Sequence, residues 1–254
     1  MHKKKLYLLI SLIVAFGMTI FPLACSSPST ETATTTQATE TTKAEESKEA
    51  VQTEETIATT TETTPETEPI ELPSYEFEGK GKSATDIFEL ESGLVTFKIT
   101  HKGSSNFSIT LMDDAGEYVD LLVNVIGSHE GAKALGIKSS GKYICDIQAD
   151  GNWTLKIEQP RPSTGDKPPL ELSGKGQSIS QFLELSSGLM KIEMKHKGES
   201  NFSVLLLDGN GDYIDLLANE IGNFEGTKAI GIDSSGIYIM SIEADGEWAI
   251  NIEQ

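Results

Sequence analysis

Residues 79–159 align with residues 174–254 at a constant offset of 95, without a gap and with 45 identities over 81 positions. A duplication of this length constrains the chain more than its composition does, because each copy has enough residues for one modest core. Between the copies, residues 160–172 carry four Pro and read as a semi-rigid linker. Only Leu170 and Leu172 are apolar at its far end, so little core is expected to cross it and each copy is expected to fold alone. The copies are also both acidic, at -5 for residues 74–159 and -8 for residues 173–254, which opposes packing one on the other.

Having two copies shows what each position demands. Val95, Phe97 and Ile99 alternate with Thr96, Lys98 and Thr100. At the equivalent places Met190, Ile192 and Met194 alternate with Lys191, Glu193 and Lys195. Period two with one polar face is a half-buried strand. The same alternation runs through Phe107-Ile109-Leu111, Tyr143-Cys145-Ile147 and Trp153-Leu155-Ile157. Turn residues separate these runs: Lys102-Gly103, Asp113 to Gly116, Ser139-Ser140-Gly141 and Asp150-Gly151. No window keeps a helical period. The spacing predicts an all-β chain of two tandem antiparallel β-sandwich, jelly-roll-like domains, with seven or eight strands each.

The first residues are of a different kind. Lys3-Lys4-Lys5 precede an apolar run from Leu6 to Ala24, and Cys25 follows. This layout resembles a bacterial lipoprotein signal, which implies cleavage before Cys25 and its acylation, palmitate included, with residues 1–24 as the signal peptide. The run is also long enough for an uncleaved transmembrane anchor. Either reading puts the rest of the chain on the extracytoplasmic face of the cell membrane, and lipidation would make that membrane a partner. Residues 25–73 form a Thr/Glu-rich stalk. Sixteen Thr and eleven Glu in residues 26–73 cannot bury enough surface to offset the entropy of ordering, so this stretch is expected to be disordered. Of the net charge of -19, residues 74–254 carry -13, which argues against nucleic acid and anionic lipid as partners and leaves cations, basic proteins and neutral glycans.

Each copy runs through Gly-x-Gly, Ser-Gly-Leu, His-Lys-Gly-x-Ser-Asn-Phe, Ser-Ser-Gly-x-Tyr and Ala-Asp-Gly-x-Trp. It is similar to the pre-peptidase C-terminal domain group, whose Gly-x-Tyr strand matches Gly141-Lys142-Tyr143 and Gly236-Ile237-Tyr238. The resemblance implies a jelly-roll-like sandwich with a non-catalytic accessory or binding role.

Few residues point to chemistry. Cys145 stands where the second copy has Met240, which reads as a soft core filler. His101 and His196 continue an inward face and are expected to bond to their own turns near Asn106 and Asn201. Trp153 and Trp248 fall on buried faces. Gly79-Lys80-Gly81 lacks the third glycine of a phosphate loop. Tyr118 and Tyr213, in turns, are the better candidates for a ligand surface. Asp208, Asn210, Asp212 and Asp215 have the alternate oxygen donors of a Ca²⁺ loop, but Tyr213 stands where such a loop wants glycine. Beyond that possible Ca²⁺ no cofactor is expected, and no enzyme activity. The expected function is a surface-displayed binding protein for a cell-wall polymer, glycan or protein, with a structural envelope spacer as the alternative. The mature chain should begin at an acylated Cys25. Mass spectrometry of the native protein checks this, and an intact Met1 would rule it out.

Overall fold

The structure is a computed structural model that describes residues 72–254. The signal, Cys25 and the stalk up to residue 71 lie outside the described residues. The first copy contains β1 (Tyr75–Lys80), β2 (Ser83–Ala84), β3 (Phe88–Leu90), β4 (Gly93–Lys102), β5 (Asn106–Asp113), β6 (Tyr118–Ile126), β7 (His129–Ile137), β8 (Gly141–Gln148) and β9 (Asn152–Glu158). The second repeats the series as β10 (Leu170–Lys175), β11 (Ser178–Ile179), β12 (Leu183–Leu185), β13 (Gly188–Lys197), β14 (Asn201–Asp208), β15 (Tyr213–Ile221), β16 (Phe224–Ile232), β17 (Gly236–Glu243) and β18 (Glu247–Glu253). Nine strands per copy exceed the expected number. The extra ones, β2 and β3 with their equivalents, are too short to show a period. β10 starts inside the stretch read as linker, because Leu170 and Leu172 alternate onto the second core.

Each copy is an all-β sandwich of two antiparallel sheets. In the first, sheet I has the order β1-β9-β4-β7, and sheet II has β2-β8-β5-β6 with β3 also paired to β8. In the second, sheet III is β10-β18-β13-β16, the equivalent of sheet I. Sheet IV is β11-β17-β14-β15 with β12 on β17, the equivalent of sheet II. The alternating residues meet between the sheets as read. Phe97, Ile99, Phe107, Ile109, Leu111, Cys145 and Ile147 are fully buried in one core. Ile192, Phe202, Val204, Met240 and Ile242 are fully buried in the other.

The expectation of little shared core does not hold. Leu94, Ala134, Leu207 and Ile239 form a third buried cluster, with Ile179, Phe182 and Leu205 packed against it. These side chains lie on the outer faces of sheets I and IV, so the layers stack II-I-IV-III. Backbones meet as well. A Cβ on Gly136 would collide with the carbonyl of Gly211, and one on Gly211 would lie 2.7 Å from the Cα of Gly136. Polar bonds tie the seam. Ala134 N donates to Ser241 Oγ at 3.2 Å, Ala132 N to Gln177 O at 3.3 Å, and Gln177 Nε2 to Leu122 O at 2.8 Å. Arg161, inside the linker, donates to Leu94 O and Ser92 O. Charge does not prevent this packing because the seam itself is apolar, with Lys138–Asp212 (3.4 Å) and Lys133–Glu243 (3.6 Å) paired across its rim.

Position for position, the seam predicts an asymmetry between identical residues. Leu94 is 0% exposed and its repeat equivalent Leu189 is 72% exposed. Leu94→Ala should therefore cost about 2 kcal/mol or more, while Leu189→Ala at low protein concentration should stay within about 0.5 kcal/mol. Chemical denaturation of the two variants checks this.

Candidate functional site: a cleft between the sandwiches

The strands that build the seam also leave a hollow beside it. β7 contributes Lys133, Ala134 and Gly136, β6 contributes Asp120, β14 contributes Ser203, Leu205 and Leu207, and β17 contributes Ser241 and Glu243. With Leu135, Gly211, Tyr213 at the start of β15 and Lys138 after β7, they line a cleft of about 330 Å³. Junctions between domains are favoured places for ligand pockets of this size. Tyr213 is 59% exposed, so its ring is free to meet a ligand. Lys133 is held in place: Nζ donates to Leu121 O at 2.8 Å, pairs with Asp120 at 3.0 Å and reaches Glu243 at 3.6 Å. The cleft therefore presents an aromatic face beside fixed donors and acceptors of both signs.

Tyr118 is equally exposed, at 66%, but does not line this cleft. The structure thus separates the two tyrosines that the sequence placed together. Nothing in the sequence of one copy points to the cleft, because half of its wall belongs to the other copy.

Of the four residues read as a Ca²⁺ loop, Asp208, Asp212 and Asp215 have side-chain partners within the chain. Asp208 Oδ1 accepts from Asn210 N at 2.9 Å and from Asp212 N at 2.8 Å, closing the β14–β15 turn. Asp113 does the same for Ala115 and Glu117 in the first copy. Asp212 pairs with Lys138 across the seam. Asp215 clamps Lys228 at 3.0 Å, as Asp120 clamps Lys133. Among the described residues no group of three or more His, Cys, Asp or Glu converges.

The histidines do not bond to their own turns. His101 Nδ1 bonds to Gly127 O at 2.7 Å, and His196 Nδ1 to Gly222 O at 2.8 Å, each reaching the β6–β7 or β15–β16 connection between the two sheets of its sandwich. Each ring stacks on a phenylalanine, Phe107 or Phe202. Each Nε2 faces a carboxylate oxygen, of Asp150 or Asp245, at 3.3 Å. Asp150 also accepts from Ser104 N and Ser105 N, and Asp245 from Glu199 N and Ser200 N. A Cβ on Gly103 or Gly198 would collide with this His–Asp pair, and one on Gly151 or Gly246 with the carbonyl of Lys102 or Lys197, so the glycines of Lys-Gly and Asp-Gly are required in both copies. The neighbouring His129 is pushed towards its neutral form, first by burial and then by His101. Cys145 is buried at the core, and burial pushes its thiol up to about 12. Trp153 and Trp248 are core residues whose Nε1 groups donate to Gly81 O and Gly176 O.

No family model matches the chain, and no curated protein matches it. Several solved structures do. A fucolectin from striped bass (Morone saxatilis) serum is 8% identical, covering 70% of this chain and 84% of that one, with a TM-score of 0.23. The N-terminal CBM22-1-CBM22-2 tandem domain of Xyn10C from Paenibacillus barcinonensis is 9% identical over 70% and 86%, also at 0.23. A turret protein of Sulfolobus turreted icosahedral virus is 14% identical over 71% and 97%, at 0.22. Scores this low carry no functional weight, and the cleft rests on its own geometry.

The backbone N–H bonds to Asp150 and Asp245 hold both carboxyls below their ordinary value of 3.8. In the folded state they stay ionised where the unfolded chain takes up protons. Their contribution to stability is thus full above that value and is lost as pH falls through the lower, folded-state one. An Asp150→Asn, Asp245→Asn chain should show a shallower fall of Tm below about pH 4 than the parent. Thermal melts from pH 7 to pH 2 check the slope.

Proposed function

We propose that the chain is an exported surface protein, held at the membrane by lipid on Cys25, whose fused sandwiches bind a glycan-type oligomer and catalyse nothing. The observation that carries this reading is the cleft beside the seam, with Tyr213 exposed at it. A sugar offers an apolar C–H face and a fringe of hydroxyls. The Tyr213 ring suits the first; Asp120, Glu243, Ser241 and Lys138 supply donors and acceptors for the second. An acidic chain favours a neutral or cationic ligand over an anionic polymer.

The burial of Leu94, Ala134, Leu207 and Ile239 favours a second reading, a stiff envelope spacer. It fixes the two copies against each other whether or not the cleft is filled.

Tyr213 and Tyr118 separate these readings, since they are equivalent residues with and without the cleft. Ligands found for the full chain on a glycan array should bind the Tyr213→Ala chain about ten-fold more weakly, equivalent to about 1.4 kcal/mol. Tyr118→Ala should leave affinity unchanged. Equal losses for both would mean that the copies bind separately, and an array without a hit would favour the spacer.

A further inference from the structure

The stack II-I-IV-III has an open-ended form. Its middle faces, on sheets I and IV, are joined. Its end faces, on sheets III and II, are the repeat equivalents of those same two. We propose that a second copy of this chain docks there, sheet III of one chain on sheet II of the next, in the register of the internal seam.

The end faces keep the features that the seam uses. On sheet III, Leu189 is paired with Gly231, as Leu94 is paired with Gly136 in the seam. Leu189 is 72% exposed, and Ala229 beside it is exposed where its equivalent Ala134 is buried. Gly231 is the most telling residue. It lies within β16, has no positive φ, and has nothing within 4 Å of the place a Cβ would occupy. Glycine weakens a strand interior and often marks the close approach of another backbone. For Gly136 that backbone is Gly211; within this chain Gly231 has none. On sheet II, Gly116 is likewise open, and Ile87, equivalent to the seam residue Phe182, is 63% exposed. Met112 and Ile144 stand where the seam has Leu207 and Ile239.

The match is weaker than the internal one. Thr110 replaces Leu205, and the rim pair Lys138–Asp212 becomes Asp233 against Glu117, two like charges. Association between chains is therefore concentration-dependent and strengthened by salt, which screens that pair. The contact is heterologous, so it propagates as an open chain and does not close as a dimer.

Cross-linking reads even a weak contact of this kind. Ala134 bonds to Ser241 within the seam, so their equivalents Ala229 and Asp146 should meet between chains. Within one chain they sit on opposite end faces, about 30 Å apart across four sheets, far beyond the span of a disulfide. The full chain in mild detergent with Ala229→Cys and Asp146→Cys should give a ladder of disulfide-linked species on oxidation, denser at high salt. The unsubstituted chain, carrying Cys25 and Cys145, sets the background. Adding Leu189→Glu, or separately Gly231→Val, should remove the ladder. No ladder above background, a dimer alone, or a ladder indifferent to both added changes would each overturn the proposal.

Discussion

Everything distinctive here depends on two backbones touching. Gly136 and Gly211 approach more closely than any side chain allows, and this brings Leu94, Ala134, Leu207 and Ile239 within burial distance of one another. Without that approach the molecule would be two sandwiches on a proline-rich tether. With it, the outer faces of sheets I and IV become an interior, and a cleft opens where the contact ends. The position of Tyr213 against Lys133 and Glu243 follows from this one meeting.

The duplication has left a division of labour among identical residues. The His–Asp pair, the aspartate-closed turns and the Lys–Asp clamps recur in both copies and hold each sandwich together. Differences occur in the cores, where Val95, Phe97 and Ile99 become Met190, Ile192 and Met194, and also on the outer faces. Sheet IV has Leu205, Leu207 and Ser241 where sheet II has Thr110, Met112 and Asp146. On sheet I the seam residues Leu94, Ala134 and Gly136 recur unchanged as Leu189, Ala229 and Gly231, so the substitutions particular to the seam lie on sheet IV.

The fold class was legible because alternation with a single wet face leaves a period-two record, and each copy showed that record independently. The buried places of Cys145, Trp153 and Trp248 followed from the same period. The seam was harder to see. Its one trace is the unbroken apolar run Val204-Leu205-Leu206-Leu207, where a half-buried strand should alternate; such a run marks burial on both faces. Polar Ser203 and Asp208 at its ends, and the acidic charge of both copies, hid this. The aspartates around residue 212 are a different case. Spacing along the chain shows which oxygens are near in sequence, and cannot show that Lys138 of the other copy lies 3.4 Å from Asp212.

Cys145 gives the molecule a built-in chemical clock. Its thiol is enclosed at the centre of the first core and stays protonated across the physiological range, so alkylating reagents can reach it only when that sandwich opens. The second core has Met240 in the same place and is silent to the same reagents. The rate at which Cys145 becomes modifiable therefore times the opening of one half of a nearly symmetric body.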